Sequence, residues 1–248
     1  MKTVKNVTTL AVAGLLAVTS TIPAFADSAN PAVDTTAYDA PVSLSLNFAY
    51  HVDMDMPEQD VFIEREKGSG KVWRVTKADQ DMGASLFRAA RPQEHSPFDP
   101  EANGPFDKGE NLGFTLAEWY AGKGKGTYSC EDGNGSINVI FTDMVANAVY
   151  TMWHAFMAMP PTTPFIGTYD LPMGARDGSD SVFSTDANGN AIFQRNFTPC
   201  LQMTGEHLAG LLAVNYHSNS QTYGVLPGEF ATDAHIQLIN ILPKRSGL

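Results

Sequence analysis

The sequence has no long hydrophobic run and no surplus of basic residues. A transmembrane helix needs roughly 18 or more consecutive apolar residues, and no segment of this 248-residue chain reaches that length. Lys and Arg number 16 against 27 Asp and Glu, which gives a formal net charge of −11. Because nucleic acids are bound through a basic face, we expect no nucleic-acid partner and no membrane span.

The local signatures of common enzyme classes are also missing. The chain contains no G-x-S-x-G, H-E-x-x-H, G-x-x-x-x-G-K-[ST] or G-x-G-x-x-G motif, each of which would indicate a specific chemistry. Acidic residues are plentiful, but no local pattern singles out the two facing carboxylates that a glycosidase needs. The sequence therefore favours a protein without catalytic activity, and a hydrolase with an unrecognised carboxylate site is an alternative.

Residues 1–26 have the composition of a signal peptide. Two lysines precede the apolar stretch Leu10 to Val18, and Ala24-Phe25-Ala26 follows it with the A-x-A spacing of a cleavage site. Residues 27–40 are small and polar with one proline and no periodicity, which predicts a flexible lead-in. We therefore expect a periplasmic or secreted protein.

Cysteine is scarce, since Cys130 and Cys200 are the two in the chain. In an exported protein an even pair indicates a disulfide. A bridge that closes a loop of this length would stabilise the fold by roughly 4 kcal/mol at most in the chain-entropy model. A pair of thiolate metal ligands and a catalytic nucleophile are weaker alternatives, because no C-x-x-C motif accompanies the two residues.

Short segments with strand patterns run through the chain and predict an all-β fold. Residues 42–50 alternate apolar and polar side chains, as a half-buried strand does. The other predicted strands are residues 61–64, 71–77, 136–142, 148–157, 181–184, 191–197, 211–217 and 234–242. The turn residues of Asp186–Asn190 predict a hairpin between two of them. Strands at this spacing are typical of a β-sandwich or barrel, and we expect a β-sandwich.

One short helix and a possible boundary complete the predicted organisation. Thr115-Leu-Ala-Glu118 matches a capping box, which predicts a helix over residues 116–121. Residues 91–113 are rich in proline and glycine and predict a long loop or a subdomain boundary. We expect residues 41–105 to form an N-terminal β layer or subdomain and residues 106–243 to form the β-sandwich domain.

The segment His51-Val-Asp53-Met54-Asp55-Met56 offers candidate metal ligands. If it continues the preceding strand, its period of two places His51, Asp53 and Asp55 on one side. Met54 and Met56 then lie on the other side. Imidazole and carboxylate groups suit borderline or hard cations, whereas thioethers suit Cu(I). Methionine also fills gaps in apolar cores, so a purely structural role is the alternative.

Three more histidines are candidate ligands in the later strands. His154 lies in an apolar strand beside Met157 and Met159, and His217 and His235 come together if the last two strands pair. With His154 they would make a three-histidine set that could hold zinc or copper. A histidine in an apolar strand is also a common hydrogen-bonded core residue, so this interpretation stays open.

Several runs resemble a family of exported bacterial all-β proteins without an assigned activity. The shared features are a V-Y-T-x-W strand, here Val149–Trp153, and a T-D-x-N-G-x-A-x-F hairpin, here Thr185–Phe193. The resemblance covers roughly residues 114–240. It implies a β-sandwich and export, and it brings no catalytic residues. The Cu,Zn superoxide dismutases have a similar setting, but their His-x-His ligand pattern is missing here.

These observations predict an exported, non-catalytic binding or interaction protein with an unknown ligand or protein partner. The first alternative is a periplasmic protein that binds copper or another transition metal, zinc included, through His and Met ligands. The second is the hydrolase.

Overall fold

The computed structural model describes residues 42–93, Phe98, 103–161 and 169–244. The predicted signal peptide and lead-in lie outside the described residues and stay predictions. In chain order the strands are β1 Val42–Asn47, β2 Glu58–Ile63, β3 Lys71–Thr76, β4 Ser85–Ala89, β5 Phe106–Thr115, β6 Lys123–Glu131, β7 Asn134–Thr142, β8 Val149–Ala158, β9 Asp170–Pro172, β10 Val182–Ser184, β11 Ala191–Phe197, β12 Leu208–His217 and β13 Ala234–Ile241.

Two antiparallel sheets form a β-sandwich, as the sequence predicts. The first sheet has the order β1-β6-β7-β11, and the second has the order β10-β8-β12-β13 with β9 beside β8. Aromatic side chains from both sheets meet between them: Phe183 of the second sheet stacks on Phe141 of the first at 5.0 Å and on Tyr150 at 5.4 Å. The all-β prediction is confirmed.

The two sheets differ in how many faces they bury. Strands β6 and β7 alternate buried and exposed residues, so the first sheet has one solvent face. Strands β8 and β12 are buried along nearly their whole length, because residues that follow β1 cover the outer face of the second sheet. An almost wholly apolar run such as that at 148–157 is typical of a strand covered on both faces, and β8 has this environment.

The first strand contributes to both sheets. After pairing with β6 as far as Asn47, the chain exchanges two backbone hydrogen bonds of 2.8 Å between Ala49 and Ile239 of the second sheet. A 3₁₀ helix over His51–Met54 follows. The expectation that the strand continues through His51 and Asp53 is therefore wrong, since pairing with a second sheet bends the backbone out of its extended path.

Strands β2, β3, β5 and β4 form a small closed barrel, in that order. Strands β2 and β3, which contain most of the predicted segments 61–64 and 71–77, pair with Phe62 opposite Arg74 and Ile63 opposite Trp73. The prediction of a loop over 91–113 is wrong for its last part, because β5 begins at Phe106 and pairs with β3 and β4. The strands of residues 41–105 are thus divided: β1 belongs to the sandwich and β2 to β4 belong to the barrel.

A buried group of charges links the barrel to the second sheet. Arg74, Glu58 and Asp60 all have 0% exposed side chains. The Asp60 carboxylate accepts hydrogen bonds from the Arg74 guanidinium and, at 3.2 Å, from the backbone N–H of Ile236. Its backbone carbonyl accepts from Nδ1 of His235 at 2.8 Å. Buried charges are tolerated only when they are paired and hydrogen-bonded, so this group fixes the position of β2 against β13.

Two local sequence predictions are confirmed at atomic detail. The Glu118 carboxylate accepts from the backbone N–H of Thr115 at 2.7 Å, and the capping box is complete. The helix, α1, spans Leu116–Trp119 and is two residues shorter than predicted. Cys130 and Cys200 form a disulfide, which ties β6 to the segment that follows β11.

The predicted hairpin around Asp186 is wrong. Strand β10 pairs with β8, whereas β11 pairs with β7, so the turn connects the two sheets. The turn itself is as predicted, since the Asp186 carboxylate accepts from the backbone N–H groups of Asn188 and Asn190 at 2.8 Å each. A turn motif fixes the local direction of the chain, but the choice of strand partners depends on tertiary packing.

Arg74→Leu is expected to lower the free energy of unfolding by about 3–5 kcal/mol, because it leaves two buried carboxylates without their cation. Arg65→Leu is the matched control, since Arg65 pairs with Asp79 at the surface at 3.0 Å, where a pair contributes about 1 kcal/mol or less. Urea denaturation of both variants measures the difference. Equal losses in the two variants would contradict a structural role for the buried group.

Candidate functional site

The predicted ligand segment at 51–56 does not present one polar face. His51 and Met56 are buried, whereas Asp53 and Asp55 are exposed. Asp55 has a left-handed backbone with φ of 61° at the end of the 3₁₀ helix. The helical turn therefore separates the imidazole from the carboxylates, and the two do not form the expected ligand set.

The methionines of both predicted clusters do come together, but in an apolar layer. Met56 and Met157 are buried, together with Trp153, in the apolar cluster that covers the outer face of the second sheet. Met54 and Met159 pack against this cluster. This arrangement matches the structural alternative, in which flexible methionine side chains fill an irregular apolar layer.

His154 and His217 lie far apart on the second sheet. His154 is opposite Leu212, whereas His217 is opposite Val149, which is five residues, or about 16 Å, along β8. Their side chains also point to opposite faces, since positions 149 and 154 differ in parity. Ligand bonds to zinc are only about 2 Å long, so these two residues cannot share an ion.

His154 and His217 each have a separate hydrogen-bond partner. Nε2 of His154 lies 3.1 Å from the carbonyl of Gln202. Nε2 of His217 lies 2.8 Å from Oγ1 of Thr151, which in turn accepts from the Trp153 indole at 2.7 Å. Burial lowers the pKa of both imidazoles to about 4, and for His217 the nearby His235 adds to the effect. Both side chains are neutral hydrogen-bonding residues of the interior.

His217 and His235 are near each other in the paired strands but project to opposite faces. His217 is opposite Ala234, and His235 is opposite Tyr216. Burial lowers the pKa of His235 as well. Across residues 42–93, 98, 103–161 and 169–244, no group of three or more His, Cys, Asp or Glu side chains could hold a metal ion. Copper and zinc stay predictions without a site in this part of the chain.

A surface groove of about 530 Å³ opens at one end of the first sheet. It lies where β6 turns into β7 and where β11 ends. The lining residues are Ser129, Glu131, Asp132, Asn134, Gly135, Ser136, Asn196, Phe197 and Thr198. Asp132 and Gly133 both have positive φ, of 49° and 76°, which is the geometry of a two-residue hairpin turn. This tight turn places Glu131 and Asp132 in the lining of the groove.

The polar lining is held in place by hydrogen bonds. The Thr198 hydroxyl donates to Oδ1 of Asn134 at 2.8 Å, and Nδ2 of Asn134 donates to the carbonyl of Asp132 at 3.1 Å. Each of these side chains is exposed to solvent, so it can also bond to a ligand. The groove thus presents hydroxyl and amide groups whose orientation is already fixed.

One aromatic ring in the groove is supported from behind. The Phe197 ring stacks on Tyr128 with centroids 6.2 Å apart and planes at 14°. It lies over Gly135, where a Cβ atom would come within 2.5 Å of the ring, so only glycine fits opposite it. Tyr128 accepts from the backbone N–H of Leu201 at 2.9 Å, next to the disulfide. The ring therefore has a rigid base.

The outer face of the first sheet continues from the groove as two rows of neutral polar side chains. The strand register aligns Ser43, Ser129, Ser136 and Asn196 as row 1, and Ser45, Thr127, Asn138 and Gln194 as row 2. All of them except the half-buried Ser136 are exposed. Beyond row 2, Ile140 and Ile192 are directly paired and are 55% and 67% exposed.

Sequence reasoning missed both the groove and the rows. The alternation in 134–142 indicates a strand with polar residues on one face. Two of these residues, Ser136 and Asn138, belong to rows 1 and 2. Their alignment across four strands depends on register, however, and β1 and β11 are far from β6 and β7 in the chain. No pattern in the sequence states that register.

Comparison with family models, curated proteins and solved structures finds no match for this chain. The resemblance to exported bacterial all-β proteins is therefore still an expectation. No helix in the described residues is long and apolar enough to cross a membrane. That finding and the disulfide are compatible with an extracellular protein.

The free energy of unfolding should fall as the pH drops from about 6.5 to 4. The unfolded chain binds a proton at His154 near pH 6.5, whereas the folded protein binds it only near pH 4. Acid therefore favours the unfolded state across this range. Replacing His154 with Gln should remove about 3 kcal/mol of that decline, as measured by urea denaturation at several pH values.

His207→Gln is the control, because the His207 side chain is 82% exposed. It should leave the pH dependence of the wild type unchanged. An unchanged pH dependence in His154→Gln as well would show that the buried imidazole does not cause the decline.

Proposed function

We propose that this protein is an exported, non-catalytic binding protein that holds a saccharide in the groove at the end of the first sheet. The observation that supports this proposal is the set of exposed hydroxyl and amide groups that line one groove and are partly fixed by hydrogen bonds to one another. The predicted signal peptide and the disulfide support the exported setting.

The chemistry of the groove matches that of a sugar. A sugar carries many hydroxyl groups, each a donor and an acceptor, and its ring has apolar C–H faces. Asn134 and Asn196 offer amide donors and acceptors, and Ser129 and Thr198 offer hydroxyls that act as both. Phe197 also lines the groove, but its ring lies on the inner face of the sheet with Gly135, whereas Ser129 and Asn196 lie on the outer face. Because the Asn134 side chain is already hydrogen-bonded in place, binding orders fewer groups and costs less entropy.

Binding without hydrolysis fits the arrangement of the acids. A glycosidase places its two carboxyl groups on either side of the scissile bond, about 5–9.5 Å apart. Glu131 and Asp132 are consecutive residues at one turn of the groove lining. The remaining lining residues are Ser, Asn, Gly, Phe and Thr, which carry no acid for the opposite side. The hydrolase alternative therefore finds no support in this groove.

The double variant Asn134→Ala/Asn196→Ala tests the proposal. The labelled full chain is applied to an array of neutral mono- and oligosaccharides, and the wild type is expected to bind at least one of them. The variant should lose affinity about tenfold or more, since each amide contributes at least one hydrogen bond of about 1 kcal/mol. Titration of the bound oligosaccharide measures the affinity.

Asn188→Ala is the matched control. Asn188 is exposed in the turn between the two sheets. Its backbone N–H, and not its side chain, donates to the Asp186 carboxylate. It should bind as the wild type does, and all variants should unfold at similar urea concentrations. Absence of wild-type binding to every glycan, or equal loss in both variants, would refute the saccharide groove.

A further inference from the structure

We infer that the ligand is a neutral polysaccharide chain that extends from the groove across rows 1 and 2 of the first sheet. This inference rests on the proposed function and adds the length and the charge of the ligand. Its basis is the continuity between the groove and the rows, since Ser129, Ser136 and Asn196 belong to both.

The rows form a regular, uncharged array. Neighbouring strands lie about 4.8 Å apart, and residues on the same face of a strand lie about 6.8 Å apart. Rows 1 and 2 place eight hydroxyl or amide side chains at these spacings, with no charged residue among them. Solvent faces of proteins usually contain many Lys, Arg, Asp and Glu side chains. An array of this composition can hydrogen-bond to repeated hydroxyl groups along a polymer.

The exposed surface is longer than a single sugar. From Glu131 at the groove to Lys125 beyond row 2 is six residues along β6, or about 20 Å. At that far end the paired Ile140 and Ile192 are both more than half exposed. Two adjacent aliphatic side chains offer an apolar surface for the C–H face of a sugar ring.

The charge of the site disfavours an anionic ligand. Glu131 and Asp132 are the charged residues of the groove lining, and no cation accompanies them there. Lys125 lies at the far end of the surface, opposite Ile140 and about 20 Å along the strand from Glu131, and Lys123 is 3.4 Å from the Asp143 carboxylate. A ligand carboxylate about 4 Å from either acid would be repelled by about 1 kcal/mol or more, and the chain as a whole is acidic at −11.

A second copy of the chain fits this face less well. The buried centre of a homodimer interface is about 65% apolar and is depleted in serine. Rows 1 and 2 contain four serines and four further polar residues, and the exposed isoleucines lie at one end rather than at the centre. The face is therefore suited to a hydroxyl-rich polymer rather than to its own copy.

Affinity electrophoresis with matched polymers tests both parts of the inference. The full chain is run through gels that contain hydroxyethyl cellulose, dextran or glycol chitin, and through gels that contain the carboxymethylated form of each backbone. We expect retardation by at least one neutral polymer and at least tenfold weaker retardation by its carboxymethylated form. Mobility in a gel without polymer corrects for the charge of each variant.

Asn138→Lys/Gln194→Lys places two long charged side chains at the middle of row 2 and leaves the groove intact. It should lose polymer retardation at least tenfold while it keeps wild-type affinity for the oligosaccharide found on the array. Gln221→Lys is the control, since Gln221 is exposed in the loop between β12 and β13, and it should migrate as the wild type. Glu131→Gln/Asp132→Asn should gain retardation by the carboxymethylated polymers.

The results separate the two proposals. Binding on the array with no retardation by any neutral polymer, or with full retardation of the row 2 variant, refutes the extended site and leaves the saccharide groove standing. Equal retardation by neutral and carboxymethylated polymers refutes the selection of a neutral ligand. Failure on the array refutes the proposed function itself.

Discussion

Burial of both faces of the second sheet determines which surfaces of the molecule can meet a ligand. Strands β8 and β12 have apolar side chains on both sides. One side packs against the first sheet, and the other is covered by the apolar cluster that includes Met56. Among the residues that the structure describes, none covers the first sheet in this way, and its outer side chains are mostly polar and exposed. A sheet surface free for recognition is therefore found on the first sheet.

Covering the second sheet also places polar groups in the interior, and several of these are hydrogen-bonded to one another. The barrel reaches the sandwich through Arg74 and its carboxylate partners, and His217 completes a chain with Thr151 and Trp153. Unpaired buried polar groups are costly, so these networks fix one relative position of the elements. The histidines that suggested metal ligands in the sequence serve this structural purpose.

The shape of the groove depends on a few contacts at the end of the first sheet. The disulfide of Cys130 ties β6 to the chain after β11, and Tyr128 supports the Phe197 ring. A rigid base of this kind orients the exposed groups before a ligand arrives, which reduces the entropy lost on binding. Local stability and the proposed recognition are thus two consequences of one set of contacts.

Local rules were enough to predict the all-β class, the capping box at Thr115, the turn at Asp186 and the disulfide, because each depends on neighbouring residues or on a single pair of cysteines. Three features depend on tertiary structure instead. The bend of the chain after β1, the separation of β10 from β11 into different sheets, and the alignment of the polar rows all follow from which strands pair and in what register. Register is decided by the packing of whole faces, and a side-chain pattern of period two is compatible with many partners. For that reason the sequence by itself determined the all-β class and most of the strands, whereas only the tertiary structure decided which polar residues meet at the groove.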